Sequence, residues 1–329
     1  MLGILCLVLV AVWLIGNLIK APSNFFNVLV IGLTEGFTFA LVALGYTLVY
    51  GILQLINFAH GDVFALSGLI ASSILISLFN LDAQSAGAAV FFGILATLVL
   101  GMAFAAALNT TIEFVGYRPL RGAPRLAPLI TAVGMSFIVQ NISLAIYDVN
   151  YKSVPGLLPT SQVFSLGDVL VRWNQLIIIL ITIPILGALT WLVAATRQGK
   201  AMRATSQDTD AAAMMGINVN RTVSFTFALA GGLAGAGGLL YLLQFNMRYD
   251  TGFQLGLIAF TAAVLGGIGN LSGAVLGAVL IGLIKNFNEG LTWFSPGSSW
   301  TRTIIFGILI AILVFRPEGL LGERTPEGG

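Results

Sequence analysis

The chain has 329 residues, of which 57% are hydrophobic and only 9% are charged, and its formal net charge is +2. Soluble globular domains carry about 25% charged residues, so a water-soluble fold is excluded. The small net charge gives no case for a nucleic-acid partner. One cysteine and one histidine also exclude an internal disulfide and a cysteine- or histidine-rich metal site.

Apolar runs of bilayer length recur along the whole sequence. A run of about 20 apolar residues crosses a hydrocarbon core, and this criterion predicts about ten spans, within a range of eight to ten. They cover residues 2–19, 25–50, 63–79, 86–108, 126–146, 175–195, 223–243, 255–268, 273–288 and 301–315. We therefore expect an all-α polytopic membrane protein. The first run lacks the basic n-region of a signal peptide, so we expect a retained span over residues 1–20.

Basic residues predict the orientation, because short cytoplasmic loops carry an excess of lysine and arginine. They cluster after the fourth span, after the sixth span and in the tail, as Arg118, Arg121, Arg125, Arg197, Lys200, Arg203, Arg221, Arg316 and Arg324. Both termini are therefore predicted to be cytoplasmic, which requires an even number of spans. Parity favours a hairpin over residues 255–288 rather than one broken helix, whose irregular backbone would be buried in protein.

A polar segment separates the second and third predicted spans. Asn57, His60 and Asp62 lie within six residues there, and such groups need partners or a watery cavity. In one interpretation, half-helices meet beside a substrate pathway and backbone N–H groups at the start of the third span receive an anionic group. In the other, the segment is an interfacial turn in which Asn57 or Asp62 caps the helix.

Glu35 lies well inside the second predicted span. A charge at that depth is expensive unless it faces a cavity or a partner. We expect Glu35 either to line the substrate pathway, with Asn57, His60 and Asp62, or to pack as a protonated or hydrogen-bonded residue between helices. No catalytic residue is predicted.

Small residues dominate part of the seventh predicted span, over residues 230–238. Glycine and alanine at this spacing let helices approach closely in lipid. The run predicts helix packing rather than ligand contact.

Residues 196–222 form a polar segment rich in charge and alanine. This composition predicts a short amphipathic helix outside the bilayer that ends at Gly216, and a plain surface helix is the alternative. Lys200 follows a glycine but precedes Ala201, so no phosphate-binding P-loop is present in this segment and ATP is not expected to bind there.

Ordered blocks of sequence resemble the permease subunits of bacterial ABC importers for branched-chain amino acids. The matching blocks are residues 44–51, 56–62, 117–121, 127–131, 202–204, 215–218, 266–269 with 273–274, and 316–320. The resemblance covers most of the chain after residue 24. It implies one transmembrane permease domain over residues 1–329, with residues 1–20 as an extra N-terminal span.

The resemblance also implies that residues 196–222 are a cytoplasmic coupling loop. Coupling helices in importer permeases often carry an acidic residue, two alanines and a glycine six positions after the acid. The isoleucine-x-leucine-proline ending of the wider motif is absent here. The residues expected to take part in ATPase coupling are Arg203, Asp208, Asp210, Ala211, Ala212 and Gly216.

A permease of this kind has no bond chemistry and no cofactor of its own. Its implied partners are a second, related permease subunit, two cytoplasmic ATPase subunits that bind ATP, an external solute-binding protein and the lipids of a bacterial inner membrane. The implied substrate is a branched-chain or other neutral amino acid, and similar permeases carry urea or short amides. An ion-coupled secondary transporter is the alternative of another class, in which Glu35 and Asp62 are the candidate coupling carboxylates.

Overall fold

Helices account for most of the chain in the computed structural model. It describes residues 2–322, apart from residues 83, 125, 155, 160, 167 and 168, and the side chains of residues 2–7 and 164–169 are also outside the description. Arg125 and Arg324, which contributed to the predicted orientation, lie outside the described residues. The α-helices are α1 (Leu2–Lys20), α2 (Pro22–Leu53), α3 (Ala59–Ser73), α4 (Gly87–Ile112), α5 (Leu126–Tyr147), α6 (Trp173–Ala195), α7 (Arg197–Gln207), α8 (Thr209–Met214), α9 (Val219–Leu242), α10 (Thr251–Gly266), α11 (Leu271–Gly290) and α12 (Ser298–Phe315).

Each predicted span coincides with one helix. α3 continues into a π-helical turn, Ile74–Leu78, and α4 continues through a second π-helical turn, Glu113–Tyr117, into a 3-10 turn, Arg118–Leu120. Among the described residues, 8 helical segments are long and apolar enough to cross a membrane, and the shorter apolar helices are α10 and the described part of α1. The all-α polytopic fold is thereby confirmed.

Helix α9 lies at the centre of the bundle, against α2, α3 and α4. A methyl group on Gly231 would overlap the backbone of Ala105, and one on Gly235 would overlap the backbone of Gly101. The backbones of α4 and α9 are therefore in direct contact, as the run of small residues predicted.

A second close contact joins α2 to α11. Gly36 lies against the backbone of Val279, and Gly282 lies against the backbone of Gly32 and Gly36. Rising residue numbers on α2 meet falling numbers on α11, so the two helices are antiparallel. Small residues again set the spacing, because no side chain separates the two backbones.

Helices α10 and α11 form the hairpin that parity favoured. The turn between them covers residues 267–270, and Gly267 and Gly269 adopt φ angles of +109° and +97°, which only glycine adopts readily. The side chain of Asn270 accepts a hydrogen bond from the Gly273 N–H at 2.9 Å and so caps α11. α10 has 16 residues and is short for a full crossing.

The three basic regions lie at one end of the bundle. We call it the α7 end, and it comprises the C-termini of α2 and α6, helix α7 and the α10–α11 turn. The tail joins this end because the Leu320 and Leu321 N–H groups donate to the carbonyls of Leu265 and Gly266, at 2.8 and 2.9 Å. Arg121 joins it by donating to Asn220, at the start of α9. That this end faces the cytoplasm remains a prediction.

The opposite end carries the only described strands, β1 (Gln162–Leu166) and β2 (Val169–Arg172), which pair as an antiparallel hairpin. This hairpin was not predicted. It is tied to α2, because the Leu170 N–H donates to the side chain of Asn27 at 2.8 Å.

Helix α1 is fastened to the loop between α11 and α12. The Trp293 N–H donates to Asn17 Oδ1 at 3.0 Å, and Asn17 Nδ2 donates to the Trp293 carbonyl at 3.1 Å. The Lys20 ammonium lies 4.1 Å from the centre of the Trp293 ring. Within the described residues, the extra N-terminal span predicted over residues 1–20 therefore contacts the bundle through Asn17 and Lys20.

Candidate functional site

The polar segment between α2 and α3 enters the bundle as irregular backbone. α2 ends at Gln54, which has a left-handed φ of 52°, and α3 begins only at Ala59. Asn57 is buried between them. Its Nδ2 donates to Asn109 Oδ1 at 3.1 Å, and its Oδ1 accepts from the Tyr117 hydroxyl at 3.1 Å. Asn57 therefore joins the start of α3 to α4 and to the π-helical turn after it.

The Asn57 network reaches the central helix as well. Asn109 Nδ2 donates to the carbonyl of Phe227, on α9, at 2.7 Å. Side-chain amides that satisfy one another in this way fix the relative positions of the elements that carry them. Neither Asn57 nor Asp62 caps α3, because the N-cap residue is Phe58 and it receives no side-chain hydrogen bond. The capping role in the interfacial-turn interpretation was therefore wrong.

His60 is enclosed by α2. Its ring lies 4.8 Å from that of Tyr46, edge to face, and a methyl group on Gly45 would overlap the imidazole. Neither ring nitrogen has a hydrogen-bond partner among the described residues. Gly45 is thus the position that makes room for the histidine.

Asp62 connects α3 to α5. Its Oδ2 accepts a hydrogen bond from the Ser136 hydroxyl, and Gln140 Nε2 lies 3.4 Å from the same hydroxyl. Its Oδ1 is buried and has no hydrogen-bond partner among the described residues. One oxygen of this carboxyl group is therefore left for a further donor.

Glu35 is paired with two residues of α11. The Lys285 ammonium donates to Oε1 at 2.5 Å, and Asn286 Nδ2 donates to Oε2 at 2.6 Å. Glu35 is ten residues before Gly45 on the same helix, which corresponds to about 15 Å. The structure therefore brings Asn57, His60 and Asp62 together on one segment, and it places Glu35 in a separate cluster nearer the opposite end.

Lys285 was not predicted from the sequence as a site residue. It lies inside the ninth predicted span, and a lysine within an apolar run was the signal that should have suggested a carboxylate partner. Asn109 and Tyr117 were also missed, because nothing in their spacing connects them to Asn57.

The expected coupling loop contains two helices instead of one. α7 buries Gly199, Met202 and Thr205 and packs against α2, α6 and α9. α8 follows after a break at Asp208, whose extended backbone ends α7. The Asp208 Oδ1 accepts hydrogen bonds from the N–H groups of Asp210 and Ala211, both at 2.9 Å, and so caps α8.

The far side of α8 is open. Ala212 is buried, whereas Met214 and Met215 are each 83% exposed. Gly216 has a φ of +84° and a methyl group there would meet nothing within 4 Å, so it ends the helix through its backbone conformation alone. The expected end of the helix at Gly216 is thus confirmed.

Arg203 points back to the bundle. Its guanidinium donates to the carbonyls of Val193 and Ala194, at the end of α6. Arginine satisfies carbonyls that have no partner within the helix. Arg203 therefore fastens α7 to α6.

A cavity of about 690 Å³ lies beside α7 at the α7 end. Residues of α2, α6, α7 and the α10–α11 turn line it, among them Thr47, Gly51, Thr190, Arg203 and Asn270. The predicted pathway residues Asn57, His60 and Asp62 are not among the residues that line it. The cavity lies between α7 and the α10–α11 turn.

Two further side chains connect the π-helical turn after α4 to other elements. Glu113, buried in this turn, accepts a hydrogen bond from Ser224 on α9 at 2.7 Å and forms an ion pair with Arg121. π-helical turns frequently occur at functional sites. This one presents Glu113 to α9 and Tyr117 to Asn57, so it links α9 to the polar segment.

Comparison with known proteins identifies relatives over nearly the whole chain. A family profile described as "Branched-chain amino acid transport system / permease component" matches residues 28–313. The high-affinity branched-chain amino acid transport system permease protein BraD of Pseudomonas aeruginosa is 38% identical over 92% of this chain and 98% of its own length. LivH of Escherichia coli K12, which carries the same description, is 34% identical over 90% of this chain and 95% of its own.

More distant relatives have another description. The autoinducer 2 import system permease protein LsrC of Photorhabdus laumondii is 26% identical over 84% of this chain and 77% of its own length. The relatives at 38%, 34% and 26% identity are all described as transport permeases, and none of these descriptions is that of an enzyme. The extent of the profile match and the identity to BraD place the chain in the branched-chain amino acid transport system permease family.

Proposed function

We propose that this chain is the membrane permease of an ATP-driven ABC importer that carries branched-chain or other neutral amino acids across the bacterial inner membrane. The observation that carries the proposal is the division of residues 196–222 into an anchored helix and an exposed one. α7 packs into the bundle, while α8 displays Met214 and Met215. A short helix mounted in this way transmits the movement of a docked subunit as rigid-body motion.

The proposal assigns the partners of the chain. Two cytoplasmic ATPase subunits dock on α8 and its equivalent in a second, related permease subunit, and an external solute-binding protein delivers the substrate. The α7 end then faces the cytoplasm, in agreement with the positive-inside rule. ATP binds to the partner subunits and not to this chain.

The pathway is proposed to run past the polar segment at the start of α3. Asn57, His60 and Asp62 are all buried within the bundle, and Asp62 retains an oxygen without a partner. Irregular backbone and polar side chains at this depth are typical of transporter pathways. Glu35 is proposed as a second pathway position, nearer the outer end.

The relatives support an amino acid as the substrate, since the more similar ones are described as branched-chain amino acid permeases. The LsrC relatives show that proteins of related sequence are described with a different solute. Urea and short amides remain the alternative substrates. Ion-coupled secondary transport is disfavoured, because the relatives are permease components of transport systems rather than single-chain transporters.

The experiment is purification of the tagged chain from its native membrane, followed by uptake into proteoliposomes. ATPase subunits are expected to co-purify, and leucine is expected to accumulate only when ATP is supplied on their side. Uptake of urea in place of leucine would replace the substrate assignment. Uptake abolished by a proton uncoupler, with no ATPase in the preparation, would replace the transport mechanism.

A further inference from the structure

Three charged side chains meet between α2, α11 and the start of α12. Besides its ion pair with Glu35, the Lys285 ammonium lies 3.9 Å from Glu289 Oε2, one turn further along α11. Glu289 Oε1 accepts a hydrogen bond from the Thr301 hydroxyl at 2.8 Å. The cluster therefore contains two carboxylates and one ammonium group, so its carboxylates exceed its cations by one.

The ion pair is not needed to hold α2 and α11 together. These helices already touch through the backbones of Gly32, Gly36 and Gly282. Removing two charges from water costs about as much as their attraction returns, so a buried pair contributes little net stability. Ionisable residues within membrane helices more often mark a pathway for a polar or charged solute.

The exposed fraction increases from Glu35 to Lys285 to Glu289. Glu35 is 1% exposed, the Lys285 side chain 18% and the Glu289 side chain 31%. Lys285 lies 14 residues from the start of α11, about 21 Å from the α7 end. A solute that approaches from the end opposite α7 therefore meets Glu289 and Lys285 first and Glu35 last.

An aromatic face borders the ammonium group. The ring centre of Phe245, in the loop after α9, lies 5.8 Å from Lys285 Nζ, and the Tyr241 ring packs against Phe245 at a tilt of 33°, with the ring centres 4.8 Å apart. The charged groups thus lie beside an apolar surface. That combination matches a small solute with both charges and a hydrocarbon side chain.

We infer that Glu35, Lys285 and Glu289 form a recognition site for zwitterionic α-amino acids. The α-ammonium group of the solute binds between the two glutamates, and its carboxylate binds Lys285, so the Glu35–Lys285 ion pair is exchanged for two new ones. This inference rests on the proposed function and narrows its substrate class. Urea or a neutral amide cannot replace both charges, and it would leave the opened pair unpaired in a membrane environment.

The test is direct binding to the purified permease–ATPase complex in nanodiscs, with the solute-binding protein left out so that its specificity does not enter. The probes are radiolabelled leucine, with leucinamide, 2-hydroxy-4-methylpentanoate and urea as competitors. Leucinamide lacks the carboxylate, and the hydroxy acid lacks the ammonium group. We expect each to compete at least about tenfold more weakly than unlabelled leucine, because a charge-assisted contact is lost in each case.

One variant tests the assignment of the charges, and two others serve as controls. Lys285→Gln is expected to weaken leucine binding by about tenfold or more while leaving leucinamide unchanged, since the amide makes no ion pair with Lys285. Glu35→Lys combined with Lys285→Glu restores the pair and serves as the folding control. Arg302→Gln is the matched charge control, because Arg302 contacts only Gln254 at the same end of the molecule in the described structure, and it should bind like the wild type.

The inference is overturned if leucine and leucinamide compete equally in the wild type, or if Lys285→Gln weakens both to the same extent, as a merely structural role would. Absence of leucine binding at millimolar concentration also overturns it. Failure of the proposed function is a separate result, namely no ATP-driven leucine uptake by the wild-type complex with its solute-binding protein. Uptake that persists with an unchanged leucine-to-leucinamide ratio in Lys285→Gln rejects the recognition site alone.

Discussion

Lys285 on α11 donates a hydrogen bond of 2.5 Å to Glu35 on α2, although the two residues are 250 positions apart in the sequence. Without Lys285, Glu35 would be a buried carboxylate with no cationic partner in a membrane helix, and without Glu35, Lys285 would keep only Glu289, at 3.9 Å. Their pairing, and the additional hydrogen bond from Asn286, explain how Glu35 is tolerated well inside an apolar span.

Removal of one partner should be more harmful to stability than removal of both. Lys285→Met leaves the buried Glu35 carboxylate without its cationic partner and is expected to lower the free energy of unfolding by about 3–5 kcal/mol. Glu35→Leu with Lys285→Met should recover most of that loss. Thermal unfolding of the detergent-solubilised variants measures both, and equal losses in the single and double variants would show that the charges do not interact.

The Asn57 network should be sensitive to loss of its amide. Asn57→Ala removes the partner of Asn109 and of the Tyr117 hydroxyl at once, and leaves two buried polar groups unsatisfied. We expect a loss of about 2–6 kcal/mol of stability, from about 1–3 kcal/mol for each of the two unsatisfied groups. Asn141→Ala is the matched control, because Asn141 is exposed and bonds only to the carbonyl one turn before it in the described structure; a similar loss in both would refute the role of the network.

Because α4 packs closely on α9, a methyl group added at their interface should lower the free energy of unfolding more than one added elsewhere. Gly235→Ala places a methyl group against the Gly101 carbonyl and should lower stability by about 1–3 kcal/mol. Gly307→Ala, on α12, places its methyl group in open space and should be neutral or slightly stabilising. Melting temperatures of the two variants, measured in one detergent, compare the positions directly.

At Gly216, the effect of backbone conformation on coupling can be measured separately from the effect of side-chain contacts. Its φ of +84° is strained for most residues, while nothing lies near its missing side chain. Gly216→Val should reduce substrate-stimulated ATP turnover while the protein still inserts, and Gly216→Asn should retain most of it, because asparagine tolerates left-handed backbone. Equal turnover in wild type, Val and Asn variants would remove Gly216 from the coupling mechanism.

The cap of α8 predicts a second coupling variant. Asp208→Ala removes the acceptor for two backbone N–H groups and should cost about 0.5–2 kcal/mol of local helix stability. Because α8 has 6 residues, that loss is a large share of its stability, and the coupling of ATP turnover to uptake should fall. Gln207→Ala, at the exposed position just before the cap, is the control and should couple normally.

Features governed by local sequence could be predicted. Uninterrupted apolar runs predicted the positions of the spans, and Gly216 marked the end of a helix. Each of these depends on residues within a few positions of one another. The small residues of α9 likewise predicted close packing, although not which helix they would meet.

Features that depend on partners distant in the sequence could not be predicted. Asn57 was singled out as unusual, but its contacts with Asn109 and Tyr117 come from the packing of α3 against α4. α7 and α8 are separate helices because the backbone of Asp208 is extended. The composition of the segment around it favours a helix throughout, so the break was not predicted. The π-helical turn at Glu113–Tyr117 was not predicted, and its buried Glu113 and Tyr117 bond to Ser224 and Asn57, which are distant in the sequence.

The ATP dependence of leucine uptake is the most direct test of the chain as the permease of an ATP-driven importer. Proteoliposomes containing the chain with its co-purified subunits and solute-binding protein should accumulate leucine with ATP, and not with a non-hydrolysable analogue. The Gly216→Val variant should hydrolyse ATP without substrate stimulation and should accumulate little leucine. Leucine accumulation that is independent of ATP and follows an imposed proton gradient would contradict the account.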